Sequence, residues 1–276
     1  MMKIAIDLGG THVRTGLIQG DRLTEIRTSP CPSQLSCEES IHYLADTARE
    51  LIQGPIQGIG IGAPSVVDAG QGIVYNATNI PAWKEVHLKK ELESLFGVPV
   101  QVNNDANCFA WGEHLFGTGK PFRNLVGITL GTGTGAGVII DGALYNGSNT
   151  GAGEIGSLSY LDRDFEYYCS SSYFTHFCRT TGKEAFRRAT AGDTEALKQW
   201  DTFGTHLGQL VKAVLFTYDP EAIVWGGGLS AAYPFFEASM WKAVQDFPYQ
   251  ETVKKLHILV SQTPYVSLLG ASALIR

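Results

Sequence analysis

Near the start of the sequence, Lys3-Ile4-Ala5-Ile6-Asp7-Leu8-Gly9-Gly10-Thr11 is an apolar run that ends in a carboxylate and two adjacent glycines. This pattern predicts a buried strand followed by a tight turn. A second apolar run, at residues 13–18, predicts the strand that returns from the turn. The stretch therefore predicts a β-hairpin whose tip carries Asp7, Gly9, Gly10 and Thr11.

The same pattern of strand, small-residue turn and strand recurs in the middle of the chain. Residues 125–130 lead into Gly131-Thr132-Gly133-Thr134-Gly135-Ala136-Gly137, and Val138-Ile139-Ile140 predicts the next strand. The turn also matches the dinucleotide-binding pattern G-x-G-x-x-G/A, but that pattern must open a helix. We interpret the two hairpins as halves of a weak internal duplication. For either one alone, glycines that serve only a tight turn remain an alternative.

Both predicted tips carry the chemistry of an anion site. Turns made of Gly and Thr present backbone N–H groups and hydroxyls, which bind phosphate oxygens. Two such turns can hold one polyphosphate from both sides. Asp7 ends a buried strand beside the first turn, where a carboxylate needs a partner. A hydrated Mg²⁺ is one such partner, and a hydrogen bond of Asp7 to its own turn is the alternative.

A third polar stretch, Asn103-Asn104-Asp105-Ala106-Asn107, follows a strand-like approach. The apolar residues after it predict a helix that begins near Asp105. The N-terminus of a helix favours a negative charge. We interpret Asp105 either as the cap of this helix or as a residue of a functional site.

The rest of the chain alternates helix and strand patterns and predicts an α/β protein. Ser36 and Glu39 have the spacing of a capping box at the start of a helix. Residues 73–83, rich in Asn and Pro, predict an irregular segment. The other predicted elements are helices at 88–96, at 203–215 and from Ser267 onward, strands at 59–64, 222–225 and 258–260, and a glycine turn at 226–228.

Composition limits the class of protein. A hydrophobic content of 44% and a charged content of 17% are typical of a folded globular chain. The net charge of −6 and the absence of a basic block argue against a nucleic-acid partner. We find neither a signal-peptide pattern nor an apolar run of about 18 residues, so we expect no membrane association and a cytoplasmic location. The five cysteines contain no CxxC pair, which favours free thiols in a reducing compartment.

An ordered set of motifs resembles the ROK family of sugar kinases. It implies the two-domain actin and hexokinase-like fold, an α/β fold of the ribonuclease H-like type with duplicated β-hairpin phosphate loops. The implied smaller domain comprises residues 1–112 plus 264–276, the larger comprises residues 113–263, and the active site lies in the cleft between them. The motifs are Asp7-Leu8-Gly9-Gly10-Thr11-His12-Val13-Arg14, Asn103-Asn104-Asp105-Ala106-Asn107, Leu130-Gly131-Thr132-Gly133-Thr134-Gly135, Gly153-Glu154-Ile155-Gly156 and Gly226-Gly227-Gly228-Leu229.

The resemblance implies ATP-dependent phosphoryl transfer to a hexose hydroxyl, O6 of glucose, N-acetylglucosamine or a related hexose. Asp105 would accept the hydroxyl proton, and a homodimer is implied as well. Asp7 is implied to contact the nucleotide indirectly, by way of a hydrated Mg²⁺. The other implied nucleotide-binding residues are Gly9, Gly10, Thr11, Thr132, Gly133, Gly227 and Gly228. The implied sugar-binding residues are Asn79, Asn104, Asp105, Glu154, Ser157 and Glu166. For Trp83 we favour a core position over stacking on the sugar.

The chain departs from the family at one segment. Typical members place a histidine and three cysteines, which hold zinc, after the Glu-Ile-Gly motif. Here Ser157 stands at the histidine position, and Leu161-Asp162-Arg163-Asp164-Phe165-Glu166 contains no cysteine. A structural zinc site needs four ligands, so we expect no zinc. We expect aromatic packing to hold the segment instead, through Phe165, Tyr167, Tyr168 and Tyr173.

Two interpretations stay open in this region. Glu166 is either a second sugar carboxylate or an ordinary surface glutamate. The loss of the zinc motif leaves room for a ROK-type sugar sensor that binds without catalysis. Repressor members carry an N-terminal helix-turn-helix extension, and this sequence starts on the first hairpin strand. That start, and the intact glycine turns, favour the kinase.

Overall fold

The structure is a computed structural model that describes residues 1–275 of the chain. None of the helices within this range is long and apolar enough to cross a membrane. The strands are β1 Met2–Leu8, β2 His12–Gln19, β3 Arg22–Pro30, β4 Ile56–Ala63, β5 Val66–Asp68, β6 Ile73–Tyr75, β7 Glu85–Val86, β8 Val100–Asn104, β9 Leu125–Leu130, β10 Thr134–Ile140, β11 Ala143–Leu144, β12 Ser159–Tyr160, β13 Arg163–Asp164, β14 Ala222–Gly226 and β15 His257–Val260. The helices are α1 Cys37–Arg49, α2 Leu88–Phe96, α3 Asp105–Phe116, α4 Phe165–Cys169, α5 Ser171–Phe177, α6 Gly182–Thr190, α7 Thr194–Tyr218, α8 Tyr233–Val244, α9 Gln250–Lys255 and α10 Val266–Ser272, with short 3-10 helices at Ile155–Ser157 and Gly228–Ala232.

The chain forms two compact units. The first unit contains Met1–Lys120, Leu144–Ala152 and the C-terminal residues from Thr263, and the second contains Pro121–Ala143 and Gly153–Gln262. The predicted boundary at residue 112 falls inside α3, because this helix continues to Phe116. The sequence pattern also gave no indication that residues 144–152 belong to the first unit.

Each unit is built on a five-stranded sheet. The strand order is β3-β2-β1-β4-β8 in the first unit and β11-β10-β9-β14-β15 in the second. In both sheets, parallel strands are added beside the hairpin. In the first sheet β4 pairs with β1 and β8 pairs with β4, and in the second β14 pairs with β9 and β15 pairs with β14. The repeated order confirms the predicted internal duplication.

The two hairpins close at the predicted positions. Leu8 pairs with Val13 at the end of β1 and β2, so Gly9, Gly10 and Thr11 form the first tip. In the second hairpin Leu130 pairs with Thr134. The second tip is therefore residues 131–133, and the remaining glycines of the run belong to β10. Because a strand follows this tip, the dinucleotide-binding alternative does not apply.

The first unit buries an apolar core around its sheet. The capping box predicted for α1 is present, since Ser36 and Glu39 each accept a backbone N–H from the other. Trp83 is fully buried, and its indole Nε1 donates to Ser40 Oγ at 2.6 Å. This tryptophan is a core residue, as predicted. The segment predicted to be irregular begins with β6, which pairs with β5 and β7, so the prediction was wrong for residues 73–75.

The helices α3 and α10 cross at very short range. A Cβ on Gly270 would overlap the carbonyl oxygen of Cys108, and one on Gly112 would overlap the carbonyl oxygen of Val266. Glycine at both places lets the two backbones touch. The crossing fixes α3 and therefore the position of its first residue, Asp105.

Candidate active site

The first hairpin tip lies against a predicted sugar ligand. Gly9 N donates to His12 O at 3.0 Å and closes the turn. A Cβ on Gly10 would lie only 2.9 Å from Asn79 Nδ2. Any other residue at position 10 would displace the Asn79 amide. The structure thus brings Asn79 beside the turn predicted to bind phosphate.

Asp7 has a protein partner that the sequence did not predict. Its side chain is 16% exposed, and Arg14 Nη1 lies 3.3 Å from Asp7 Oδ2. Burial raises the pKa of Asp7, and the charge and hydrogen bond of Arg14 oppose that effect only in part. Asp7 lies opposite Arg14 in the register of β1 and β2, which is why the two side chains meet.

The cap of α3 is Asn104, so the interpretation of Asp105 as the cap was wrong. Asn104 has an extended backbone, and its Oδ1 accepts from Ala106 N at 2.9 Å and Asn107 N at 3.2 Å. Its Nδ2 donates to Ser65 O at 3.0 Å. Asp105 is the first helical residue, and its Oδ1 accepts from Ala106 N at 2.8 Å.

The buried Asn103 side chain organises the stretch around Asp105. Its Oδ1 accepts from Asn104 N at 2.8 Å and from Asn107 Nδ2 at 2.9 Å. Its Nδ2 donates to Asn146 Oδ1 at 2.9 Å. Asn146 was missed in the sequence, because only the fold brings residues 144–152 to β8.

Asp7 and Asp105 leave the same edge of one sheet. Strands β1, β4 and β8 are parallel, with Asp7 opposite Gly62 and Gly62 opposite Asn103. The thiol of Cys108 is buried close to both carboxylates. Burial raises the pKa of Cys108 well above its usual value, and the negative charges of Asp105 and Asp7 raise it further. One strand therefore separates the first hairpin tip from Asp105. Functional sites of parallel sheets commonly lie at this carboxyl edge.

The second tip is held by residues that follow the motif Gly153–Gly156 in the chain. Thr134 N donates to Glu166 Oε2 at 3.0 Å, and Thr134 Oγ1 donates to Cys169 O at 2.9 Å. Ser171 N donates to Gly131 O at 2.8 Å. Cys169 and Ser171 carry no sequence signal for this role, since they act largely through their backbones.

The second unit brings the predicted sugar carboxylates near each other. Glu154 is solvent-exposed. Partial desolvation by the surrounding protein raises its pKa, and the negative charge of Glu166 raises the pKa further. Ser157 is exposed at the end of a short 3-10 helix, where its N donates to Glu154 O at 3.2 Å. Glu154, Ser157 and Glu166 thus lie in one region of the second unit.

An aromatic cluster surrounds the segment that departs from the family, as predicted. Tyr160 stacks on Phe165 with ring centroids 4.4 Å apart, and its hydroxyl bonds His206 Nδ1 at 3.0 Å. Burial lowers the pKa of His206, which favours the neutral ring. Among residues 1–275 no group of three or more His, Cys, Asp or Glu side chains is arranged to hold a metal. The other rings of the cluster are Tyr167, Tyr168, Tyr173 and Phe177.

A pocket of about 530 Å³ in the second unit lies beside the second tip. Gly227 has a φ of 79°, and a Cβ there would overlap Leu130 O, so only glycine permits this turn. An apolar wall with a few hydroxyls is typical of a nucleoside site. Gly228 and Thr132, both predicted to bind nucleotide, line it together with Ser171, Thr181, Trp200 and Leu229.

The duplicated sheets, their glycine tips and the carboxylate at the sheet edge define an enzyme class: phosphotransferases of the actin and hexokinase-like fold. Within that class, the chain belongs to the ROK family, whose sequence profile matches residues 3–276.

Similar proteins agree with this assignment. Glucokinase of Thermotoga maritima is 29% identical over 308 residues, covering 99% of this chain and 96% of that protein. N-acetyl-D-glucosamine kinase of Aliivibrio fischeri is 31% identical over 267 residues, covering 83% of this chain and 84% of that protein. A crystal structure of a ROK family glucokinase from Streptomyces griseus with glucose and AMPPNP has a TM-score of 0.85 and 26% identity, and the match covers 100% of this chain and 99% of that chain. These relatives support a sugar kinase, a phosphotransferase with an alcohol acceptor.

Proposed function

We propose that the protein is an ATP-dependent hexose kinase that transfers the γ-phosphoryl group to O6 of glucose, N-acetylglucosamine or a related hexose. Asp105 is the general base in this proposal. The family assignment and the kinase relatives support the reaction. The observation that carries the proposal is the shared sheet edge, where the first hairpin tip and Asp105 are separated only by β4.

The position of Asp105 suits a base that acts late in the reaction. The Ala106 N–H and the α3 N-terminus stabilise its carboxylate form. A stabilised carboxylate is a weak base, so it accepts the hydroxyl proton as the transition state forms. General-base assistance of this kind is worth a factor of about 10² to 10⁴ in rate.

We propose that the two tips hold the phosphates and that the pocket beside Gly227 and Gly228 holds the nucleoside. The phosphate contacts would come from Gly9, Gly10, Thr11, Thr132 and Gly133. Phosphoryl transfer depends mostly on positioning and charge stabilisation, which backbone N–H groups supply. The proposed hexose ligands are Asn79, Asn104, Glu154, Ser157 and Glu166. Asn104 Oδ1 already accepts two bonds in the helix cap, and one N–H of its Nδ2 donates to Ser65 O, so the second N–H of Nδ2 is the group for a sugar oxygen.

We propose magnesium, and not zinc, as the metal of this site. Asp7 offers a carboxylate, a ligand type that Mg²⁺ prefers, beside the first tip. Bound Mg²⁺ would neutralise phosphate charge, and Asp7 would hold it through water. The segment that binds zinc in typical members has Ser157 and aromatic packing instead of a ligand set.

The test is a coupled ADP-release assay with glucose, N-acetylglucosamine, mannose, fructose and allose, each against an ATP-only baseline. We expect at least one hexose to stimulate ADP release clearly above that baseline. Absence of stimulation by every sugar, with a folded protein, would overturn the kinase proposal.

The alternative is a ROK-type protein that binds sugar without turning it over. Ser157 and the aromatic cluster favour it, because both lie where typical members hold zinc and a sugar-facing histidine. Binding of a hexose in calorimetry with no ADP release would identify this alternative. The homodimer is proposed from the family resemblance alone, and light scattering should then give twice the chain mass of 29.9 kDa.

A further inference from the structure

The second hairpin tip is held by a continuous segment at α4 and the start of α5. Four hydrogen bonds join residues 131–134 to residues 166–171: Thr134 N to Glu166 Oε2, Thr134 Oγ1 to Cys169 O, Ser171 N to Gly131 O, and Ser171 Oγ to Thr132 O. Two of these bonds use backbone groups of the segment. Only the bond of Glu166 comes from an ionisable side chain.

Glu166 lies directly against the tip. A Cβ on Gly133 would overlap Glu166 Oε2, so the glycine makes room for the carboxylate. The bond from Thr134 N to a carboxylate is charge-assisted and stronger than a bond to a neutral acceptor. Glu166 is solvent-exposed, so its hydrogen bond to the tip, and not burial, distinguishes it from an ordinary surface glutamate.

The backbone that carries Glu166 is well fixed. Asp164 caps α4, and its Oδ1 accepts from Tyr167 N at 2.8 Å. Phe165 is buried and stacked on Tyr160, and Tyr167 lies under the guanidinium of Arg163 at 5.4 Å. The aromatic cluster therefore holds the helix that carries Glu166 in a position from which the Glu166 carboxylate reaches the tip.

We propose that Glu166 is a positioning residue that holds the phosphate-binding tip 131–133 and couples it to the hexose. The inference rests on the proposed function. Among residues 1–275, the hydrogen bond described for Glu166 uses Oε2, so Oε1 remains an acceptor for a sugar hydroxyl. A hydroxyl bound at Oε1 restricts the side chain and stabilises the bond from Oε2 to Thr134. Hexose binding then raises the affinity for nucleotide, and by linkage nucleotide raises the affinity for hexose by the same factor.

The experiment measures the affinity for AMPPNP with Mg²⁺ by calorimetry, first with no sugar present. We expect Glu166→Ala to weaken binding about tenfold, since a charged hydrogen bond to the tip is lost. Glu166→Gln should lose less affinity than Glu166→Ala, because its amide oxygen still accepts from Thr134 N although without the charge. Glu166→Asp keeps the charge but shortens the reach and should weaken binding.

Glu195→Gln is the matched control, since this exposed carboxylate of the second unit has no hydrogen bond to the tip among the bonds described for residues 1–275. Its AMPPNP affinity should equal that of wild type. Wild-type affinity in Glu166→Ala would overturn the proposal. So would an equal loss in Glu195→Gln, or a loss in Glu166→Gln as large as in Glu166→Ala. Melting curves verify folding, and the Gln and Asp pair supplies the test if the Ala variant does not fold.

The coupling is tested by repeating the titration with a saturating hexose from the assay panel. Wild type should bind AMPPNP more tightly with the sugar, and Glu166→Ala should not. An equal enhancement in both would overturn the coupling. The sugar-free measurement does not depend on turnover, so an absence of any hexose activity would remove the proposed function and leave the positioning result readable.

Discussion

Asp7, the residue before the end of β1, lies in an environment that disfavours its charge. Burial raises its pKa, so the folded state binds the proton more tightly than the unfolded state does. The ionised carboxylate therefore lowers stability above the raised pKa, and this loss disappears below the unfolded value of about 3.9. We predict that Asp7→Asn raises the free energy of unfolding at pH 7 by about 1 kcal/mol and reduces turnover.

Denaturant unfolding at pH 7 and again below pH 4, with turnover measured in parallel, checks this prediction. Asp21→Asn is the control, because Asp21 is exposed in the turn between β2 and β3 and its replacement should change stability little. An Asp7→Asn variant less stable than wild type at pH 7 would contradict the electrostatic account.

Glu154 should make hexose binding depend on pH. Partial loss of hydration, and then the charge of Glu166, raise its pKa, so it gains a proton at a higher pH than an ordinary glutamate. We predict that the hexose KM rises as the pH falls toward about 4.3, the ordinary value. In Glu166→Gln the rise should begin at lower pH, since one cause of the shift is removed. A profile identical in wild type and Glu154→Gln would be evidence against this role.

At the residue level, the sequence predicted where site residues lie in the elements better than it predicted which side chains they contact. Asp105 was placed correctly at a helix start, but the capping residue is Asn104, whose extended backbone suits that role. The partners Arg14 and Asn146 were missed, because cross-strand register and the return of residues 144–152 are properties of the fold. The roles of the predicted site residues stay predictions until ligands are bound.

At the scale of elements, the crossing of α3 and α10 fixes the helix whose first residue is Asp105. We predict that Gly270→Ala destabilises the protein by about 3 kcal/mol, because the new methyl group meets the backbone oxygen of Cys108. Any folded fraction should lose kcat, since α3 carries Asp105. Ser267→Ala on the same helix is the control, and chemical denaturation measures both. Near wild-type stability of Gly270→Ala would show that the crossing tolerates separation.

The aromatic cluster should stabilise its segment without metal. We predict that Phe165→Ala lowers the free energy of unfolding by about 3 kcal/mol, since a buried ring is lost. Leu161→Ala, at a site 68% exposed, is the control in the same segment.

We also predict that EDTA or phenanthroline leaves the melting temperature unchanged. A lower melting temperature in chelator would indicate a bound metal.

Helices and strands with strong patterns were predictable from the sequence, and short irregular contacts were not. The capping box of α1 and both hairpins follow from local spacing. The small sheet of β5, β6 and β7 was missed because its strands are too short to show a period. The hydrogen bond from Thr134 N to Glu166 at the second tip was also missed, because it joins residues far apart in the chain.

At the scale of the whole molecule, duplication explains why a single chain carries two glycine-tipped hairpins. The repeat of strand order was predictable from two similar sequence stretches, whereas the limits of the units were not. The chain crosses between units at several points, and α3 extends past the predicted boundary. The family match supports this fold, and the proposed chemistry assigns the role of base to one carboxylate, Asp105.

The most direct test of that chemistry compares wild type with Asp105→Asn in the coupled ADP-release assay, using the hexose with the strongest stimulation. The amide can still accept from Ala106 N, so the variant should fold and bind hexose within a few-fold of wild type. We predict a loss of kcat of about 10² to 10⁴. Turnover close to that of wild type, with hexose binding retained, would contradict the assignment of Asp105 as the base.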